Sequence, residues 1–366
     1  MRNGFALYPG LDNTLTENLT LLEHAAACGL QRVFTSLQIP ETDTTALKSE
    51  LGTLLAAARD HHLEVISDVS PATLRLLDIR DFSLSAFRML GITTLRLDYG
   101  FGLQEIVDLS HNRQGMRIQL NASTVTGDIL SALVGMKANF HQIDALHNFY
   151  PRPGTGISEE LLVHKNLMLH KLGVRVGAFV PTQAGRRRSP LGDGLPTLEE
   201  HRSVPVDLAA RHLVALGCDT VFLSDALPGE NELHALGELR DDCIVLSAKC
   251  LTQDPLQQAL LSQVYTSRED EARDAIRAQE SRPHLKKMGR SITPENTASR
   301  PRGAITLDNN GYGRYMGELQ ILRTDLPADP RTNVAAMVDE SECNLLQYIT
   351  PGRKFSFRFA PETDII

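Results

Sequence analysis

The 366 residues carry 45 acidic against 37 basic side chains, a formal charge of −8, and 42% hydrophobic residues. This supplies a sizeable core but no basic face, which argues against a nucleic-acid partner. No window approaches the ~20 apolar residues of a membrane span, no signal-peptide core follows Met1, and the five scattered cysteines lack a Cys-x-x-Cys pair, so a cytoplasmic chain with no metal ligands is expected.

In chain order, Phe5-Ala6-Leu7-Tyr8-Pro9 is the first of eight short apolar, β-branched runs that end abruptly in polar residues. The others close on Thr35-Ser36, Ser67-Asp68, Arg96-Leu97-Asp98, Gln119-Leu120-Asn121, His147-Asn148, Phe179-Val180-Pro181 and Ser224-Asp225. Amphipathic helical stretches lie between them, with Leu19, Leu22, His24 and Ala26 on one predicted face and Leu47, Leu51, Leu54 and Leu55 on the next. Gly29, Gly91, Gly173 and Gly217 stand just ahead of following strands, where a helix C-terminus calls for a left-handed residue. Eight strands alternating with helices predict an α/β fold, a (β/α)8 TIM barrel over residues 1–246, whose C-terminal strand ends build one shared mouth.

The remaining stretch, 247–366, reads as a small mainly-β domain. Residues 266–279 look helical and charge-rich, and 281–301 carry little periodic apolar content. Alternating runs at 304–308, 318–322, 334–338 and 355–359 follow, separated by Asn309-Asn310-Gly311 and Pro351-Gly352.

Chemistry is expected at the strand ends. Alternation puts Arg96 and Asp98 on the same side of their strand, inside the barrel, where charges are costly unless paired or used. Asp68 has the same placement, and Glu41, after Gln38-Ile39-Pro40, is a third carboxylate. Ser36, Asn121, Asn148, Tyr150 and Arg152 add hydroxyl, amide, aromatic and cationic groups. Paired carboxylates beside amides and an aromatic suit glycoside hydrolysis, with Asp98, Asp68 and Glu41 as the candidates; an aldolase or isomerase stays open on composition alone. The long loop after the seventh strand holds Arg186-Arg187-Arg188, either an anion cradle or a solvated charge run, and then Thr197-Leu198-Glu199, which resembles a helix cap with Glu199 in its first turn. Dinucleotide, Walker, zinc-protease and nucleophile-elbow motifs are missing, and no lysine stands at a strand end for Schiff-base or pyridoxal chemistry.

Several strings, in order, carry a resemblance: Phe34-Thr35-Ser36-Leu37, Leu95-Arg96-Leu97-Asp98-Tyr99-Gly100-Phe101, Leu120-Asn121-Ala122-Ser123, Asn148-Phe149-Tyr150-Pro151-Arg152, Gly194-Leu195-Pro196-Thr197-Leu198-Glu199 and Tyr312-Gly313-Arg314-Tyr315-Met316-Gly317-Glu318-Leu319-Gln320-Ile321. Over nearly its whole length the chain resembles the MupG family of bacterial 6-phospho-N-acetylmuramidases, a barrel followed by a cyclophilin-like domain. The resemblance implies a cofactor-free cytoplasmic glycosidase of cell-wall recycling, cutting the β-1,4 bond of N-acetylmuramic acid 6-phosphate-N-acetylglucosamine. A phosphorylated disaccharide gives Arg186, Arg188 or Arg152 an anion to bind, with Ser36, Arg96, Asn121, Asn148, Tyr150 and Glu199 around the sugar and Glu318, beside Tyr315 and Gly317, leaning over the site. One departure is Ser189-Pro190-Leu191, where the family pattern is Gly-Pro-Leu. The alternatives are a barrel isomerase or lyase acting on a phosphorylated sugar, and peptide binding or prolyl isomerisation by the second domain, for which Gln320, Phe355 and Phe357 make an incomplete set. Closing the barrel mouth or joining a homodimer is the preferred role for that domain.

Overall fold

The computed structural model describes residues 1–37, 39, 41–69, 83–98 and 100–359; Gln38, Pro40 and Tyr99, used in the sequence reading, lie outside them. The chain divides into two units, Met1–Leu239 and Arg240–Ile366.

In the first unit all eight predicted strands form: β1 Gly4–Leu7, β2 Arg32–Ser36, β3 Glu64–Val69, β4 Thr94–Leu97, β5 Arg117–Asn121, β6 Ile143–Leu146, β7 Val176–Val180 and β8 Thr220–Leu223. They pair in parallel in chain order, and β8 closes on β1 through Gly4 opposite Phe222. Gly29, Gly91, Gly173 and Gly217 all have φ between 72° and 95°, the left-handed region expected of them. Leu47, Leu51, Leu54 and Leu55 are buried on helix Thr44–Asp60 as their spacing predicts. On helix Leu15–Ala27 the buried face is instead Asn18, Leu21, Leu22 and Ala25, which follow the i, i+3, i+4, i+7 spacing of one helical face, and Asn13 Nδ2 bonds Asn18 Oδ1 at 3.1 Å.

Alternation sends every second side chain into the lumen, which is filled in tiers. At the N-terminal end Arg32 of β2 donates across the barrel to Asp144 of β6 at 2.9 Å and to Glu64 of β3 at 3.2 Å, and Gln119 of β5 donates to Asp144 at 3.0 Å. Above this ionic floor lies an apolar plug of Ala6, Phe34, Ile66, Leu146, Phe179 and Phe222, with Phe34 and Phe222 5.3 and 5.6 Å from Phe179 by ring centroid. The plug thereby separates the floor from the polar strand ends at the C-terminal mouth.

The second unit is a seven-stranded sheet ordered β10-β15-β9-β14-β12-β13-β11, with β9 Ile244–Cys250, β10 Tyr265–Thr266, β11 Ala275–Arg277, β12 Ala304–Asp308, β13 Leu319–Leu322, β14 Thr332–Val338 and β15 Lys354–Phe359. Only β9 and β15 run parallel. Two expectations need correction. The boundary placed at 246/247 falls inside β9, since Ile244-Val245-Leu246 pair with β15 rather than ending the barrel. The segment 266–279 is not helical: Arg268 pairs with Asp270 and Arg273 with Asp274, spacings too short for helical pairs, while Ala275 and Ile276 join β13 as a strand. The helix lies just beyond, at Ser281–Met288, where one buried apolar residue, Leu285, is too little to give a periodic signal. Among the described residues no helix is long and apolar enough to cross a membrane.

Gly4 makes room for the plug. A Cβ there would fall 2.4 Å from Arg32 O and 2.5 Å from Phe222 Cε1. Gly4→Ala is expected to destabilise the barrel by about 1–3 kcal/mol, the range for overpacked cores, read as a lowered urea midpoint with unchanged slope.

Candidate active site

Above the plug the strand ends form one hydrogen-bonded network. Arg96 leaves β4 buried, and its Nη1 reaches Asp68 Oδ1 of β3 at 2.8 Å and Asp98 Oδ1 at 3.3 Å. Its Nη2 donates to Asn148 Oδ1 at 2.5 Å, which also accepts from Asn121 Nδ2 at 3.0 Å, and Ser36 hydrogen-bonds Asp68. Five of the predicted residues and Arg96 itself thus meet. A buried guanidinium must be paired, and here two carboxylates share it, so negative charge is in excess. Burial pushes the Asp68 carboxyl up, the charge of Asp98 adds to this, and Arg96 and Ser36 oppose it. Asp98, with its side chain 30% exposed, is the more accessible of the two. Two carboxyl groups in unequal surroundings are what acid–base division of labour requires. Glu41 is exposed on the loop after β2 and, among the described residues, joins none of these bonds.

The three consecutive arginines have three different uses. Arg186 is a clamp: it pairs with Glu17 at 2.7 Å and donates to Asn13 Oδ1 and Asp12 O, and its hydrogen bond is the main reason the exposed Glu17 carboxyl falls to about 2. Arg187 donates to Thr182 O and Gln183 Oε1. Arg188 is nine-tenths buried, its guanidinium carbon 5.2 Å from the Tyr8 ring centre and 5.1 Å from that of Phe149. Its Nε has no partner, and among the described residues it makes no ion pair. The Tyr8 hydroxyl hydrogen-bonds its side chain and the buried Asp225 carboxyl attracts it without pairing with it, so a desolvated cation with an unpartnered Nε lies between two aromatic faces. The expectation of Arg186 as an anion ligand is therefore corrected, and Arg188 stays a candidate for it. Ser189 sends its N–H to Asp12 at 3.0 Å, so that group holds the loop.

Glu199 also turns out to be structural. Its Oε1 accepts from Gly154 N at 2.8 Å and Arg202 Nε at 2.7 Å, and its Oε2 from Gly156 N at 2.7 Å and Arg202 Nη2 at 2.8 Å. These bonds, Arg202 first, hold its carboxyl down at about 2 and staple the loop after β6 to the loop after β7, leaving little capacity for a sugar. Nor does it open an α-helix, for 199–203 is a short 3-10 turn and Thr197 bonds Phe179 N and Asn148 O. Glu318 belongs to the second unit, buried and paired with Arg277 at 2.7 Å. Tyr150 is half-buried and held through its N–H to Pro196 O, and Arg152 is exposed. His147 is a buried neutral pin between Ser123 and Asn166, pushed down to about 4 by desolvation.

Three site residues escaped the candidate set: Tyr8, Phe149 and Asp225. Tyr8 donates to Ser224 O at 2.7 Å, and Asp225 accepts from Thr182 N at 3.0 Å and Arg188 N at 3.1 Å. Each ends or follows a predicted strand, which was the available signal.

A closed parallel barrel with a carboxylate pair and a buried arginine at its C-terminal strand ends has the layout of a barrel enzyme. The 6-phospho-N-acetylmuramidase family model matches its N-terminal part to residues 3–238 and its C-terminal part to 244–358. The chain belongs to that family, which makes it a glycosidase of peptidoglycan recycling. It is similar along 98% of its length to the crystal structure of an uncharacterized B. cereus protein, with 29% identity, 99% of that chain covered and a TM-score of 0.85. A conserved protein of unknown function from Enterococcus faecalis is 31% identical, over 98% of this chain and 96% of that one, with a TM-score of 0.70. No curated protein matches.

Burial raises the Asp225 carboxyl to about 6, against about 3.9 for an unfolded Asp. The folded state therefore holds this proton more tightly, so the contribution of Asp225 to stability is greatest below pH ~4 and falls as pH rises through about 6. Unfolding free energies of wild type and Asp225→Asn, compared from pH 4 to 7, should diverge by about 2–3 kcal/mol, wild type gaining relative to the variant as pH falls. A constant difference would mean that the carboxyl titrates normally.

Proposed function

We propose that the chain hydrolyses the β-1,4 bond of N-acetylmuramic acid 6-phosphate-N-acetylglucosamine, with Asp68 and Asp98 as the carboxylate pair and Arg188 as the phosphate ligand. The observation that carries this is the junction at Asn148 and Phe149: the first takes a bond from Arg96 of the carboxylate network and the second stacks on Arg188. Consecutive residues thus tie the acid–base pair to the anion site. Asp68, whose ionised form burial disfavours, is the proton-holding partner. Asp98 faces the sugar as the carboxylate. The isomerase or lyase reading gains no group of its own here.

Asp98→Asn should lower kcat/KM by ~10²–10⁴ while leaving the thermal midpoint near that of wild type, because an amide cannot exchange the proton. Near-normal turnover would reassign Asp98 to an ion-pair role. Arg188→Ala should cost the phosphorylated disaccharide at least ~10-fold in kcat/KM and leave the already poor unphosphorylated one almost unchanged, since remote binding energy is used to orient the reacting bond. Arg186→Ala should instead slow both substrates alike by loosening the loop. Equal wild-type rates on the two disaccharides would sink the phospho-specific reading.

A further inference from the structure

The second unit contains a cavity of about 920 Å³, within the size range of small-molecule sites. Helix Ser281–Met288 and the turn Asn310–Tyr315 supply much of its wall. They are locked together close by, where Leu285 fills the space over Gly317: a Cβ at Gly317 would lie 2.4 Å from Leu285 Cδ2. Six cations line the cavity, Arg268, Arg282, Lys286, Lys287, Arg290 and Arg314, and no lining residue is acidic. Such a concentration is unlike the rest of a chain whose formal charge is −8.

Only part of that charge is answered internally. Arg268 is neutralised by Asp270 through bonds of 2.7 and 2.8 Å. Glu318 is already bound to Arg277 at 2.7 Å and reaches Arg282 only at 3.9 Å. Lys286, Lys287 and Arg290 are exposed and, among the described residues, make no ion pair. Two of the guanidinium groups are also held in position. Arg282 and Arg314 lie 5.4 and 4.8 Å from the centre of the Tyr315 ring, Arg314 donates to Tyr315 Oη at 2.7 Å, and Arg282 donates to Arg314 O at 2.7 Å. Fixed guanidinium forks lose little entropy on binding, and mobile ammonium groups beside them adapt to a multiply charged ligand. We propose that this cavity binds a small molecule through its phosphate group. Several uncompensated cations suit a phosphate dianion better than a single carboxylate. The phosphate is that of a second molecule of the barrel's substrate, Arg188 being assigned the 6-phosphate of the first, or of a separate effector, and the experiment separates these.

The test is isothermal titration of the full chain with pyrophosphate in an Arg188→Ala background, so that the barrel site stays silent, compared with the same chain carrying Lys286→Gln and Arg290→Gln. Both added changes remove exposed charges that make no ion pair, so circular dichroism should show an unaltered fold. Affinity should drop at least ~10-fold in the variant and weaken with added salt in the parent, as expected for charge-assisted contacts. Kinetics of Lys286→Gln/Arg290→Gln then identify the source: a raised KM at constant kcat for the phosphorylated disaccharide assigns the phosphate to substrate, and unchanged kinetics assign it to an effector. Equal pyrophosphate affinity in parent and variant, no binding in either, or binding only of anionic vesicles or nucleic acid would overturn the proposal.

Discussion

The site depends on one buried guanidinium. Arg96 cannot sit in a barrel lumen without partners, because the desolvation of a charge is repaid only by close, well-directed counter-charges. Its partners come from three places: Asp68 on β3, Asp98 just past β4 and Asn148 past β6. Meeting that demand fixes the relative positions of the strand ends that bear the chemistry. Two carboxylates for one cation is more negative charge than the arginine needs. The ionic floor shows the contrast. Glu64 and Asp144 share Arg32, but Glu64 also pairs with Arg2 at 3.3 Å and Asp144 with Arg117 at 3.6 Å, so the acidic charge there is matched.

Loop anchoring does the rest of the work at the mouth. The arginine-rich loop is tied down by Arg186 to Glu17, by Asp225 to the backbone of Thr182 and Arg188, and by Asp12 to Ser189. Glu199 and Arg202 bind the neighbouring loop to it. With these groups spent on structure, Arg188 is held between Tyr8 and Phe149 with its Nε unpartnered. A preorganised cation of this kind avoids the entropic loss that a flexible surface arginine suffers on binding an anion. In the second unit the residues that suggested a peptide groove are engaged otherwise: Gln320 bonds Glu318 at 3.3 Å, and Phe355 is fully buried against Tyr265. Its basic cavity is the feature with unspent chemistry.

What the sequence by itself determined was the barrel and the strand ends whose polar residues meet at its mouth. Period-two burial and glycine-ended helices are local consequences of backbone geometry, so all eight strands and the inward pairing of Arg96 with Asp98 were readable from neighbouring residues. Strand-end position likewise marked Asp68, Asn121 and Asn148. Only the tertiary structure decided the use of each charge. Arg186 and Arg188 are two residues apart and chemically identical; Glu17, 169 positions away, claims the first, and two rings from different strand ends enclose the second. Glu199 looked available until Gly154, Gly156 and Arg202 filled its lone pairs, and 266–279 looked helical until β13 supplied a partner for Ala275 and Ile276. A charged side chain's role is set by which counter-charge arrives through space, and that distance is not written in the spacing of residues along the chain.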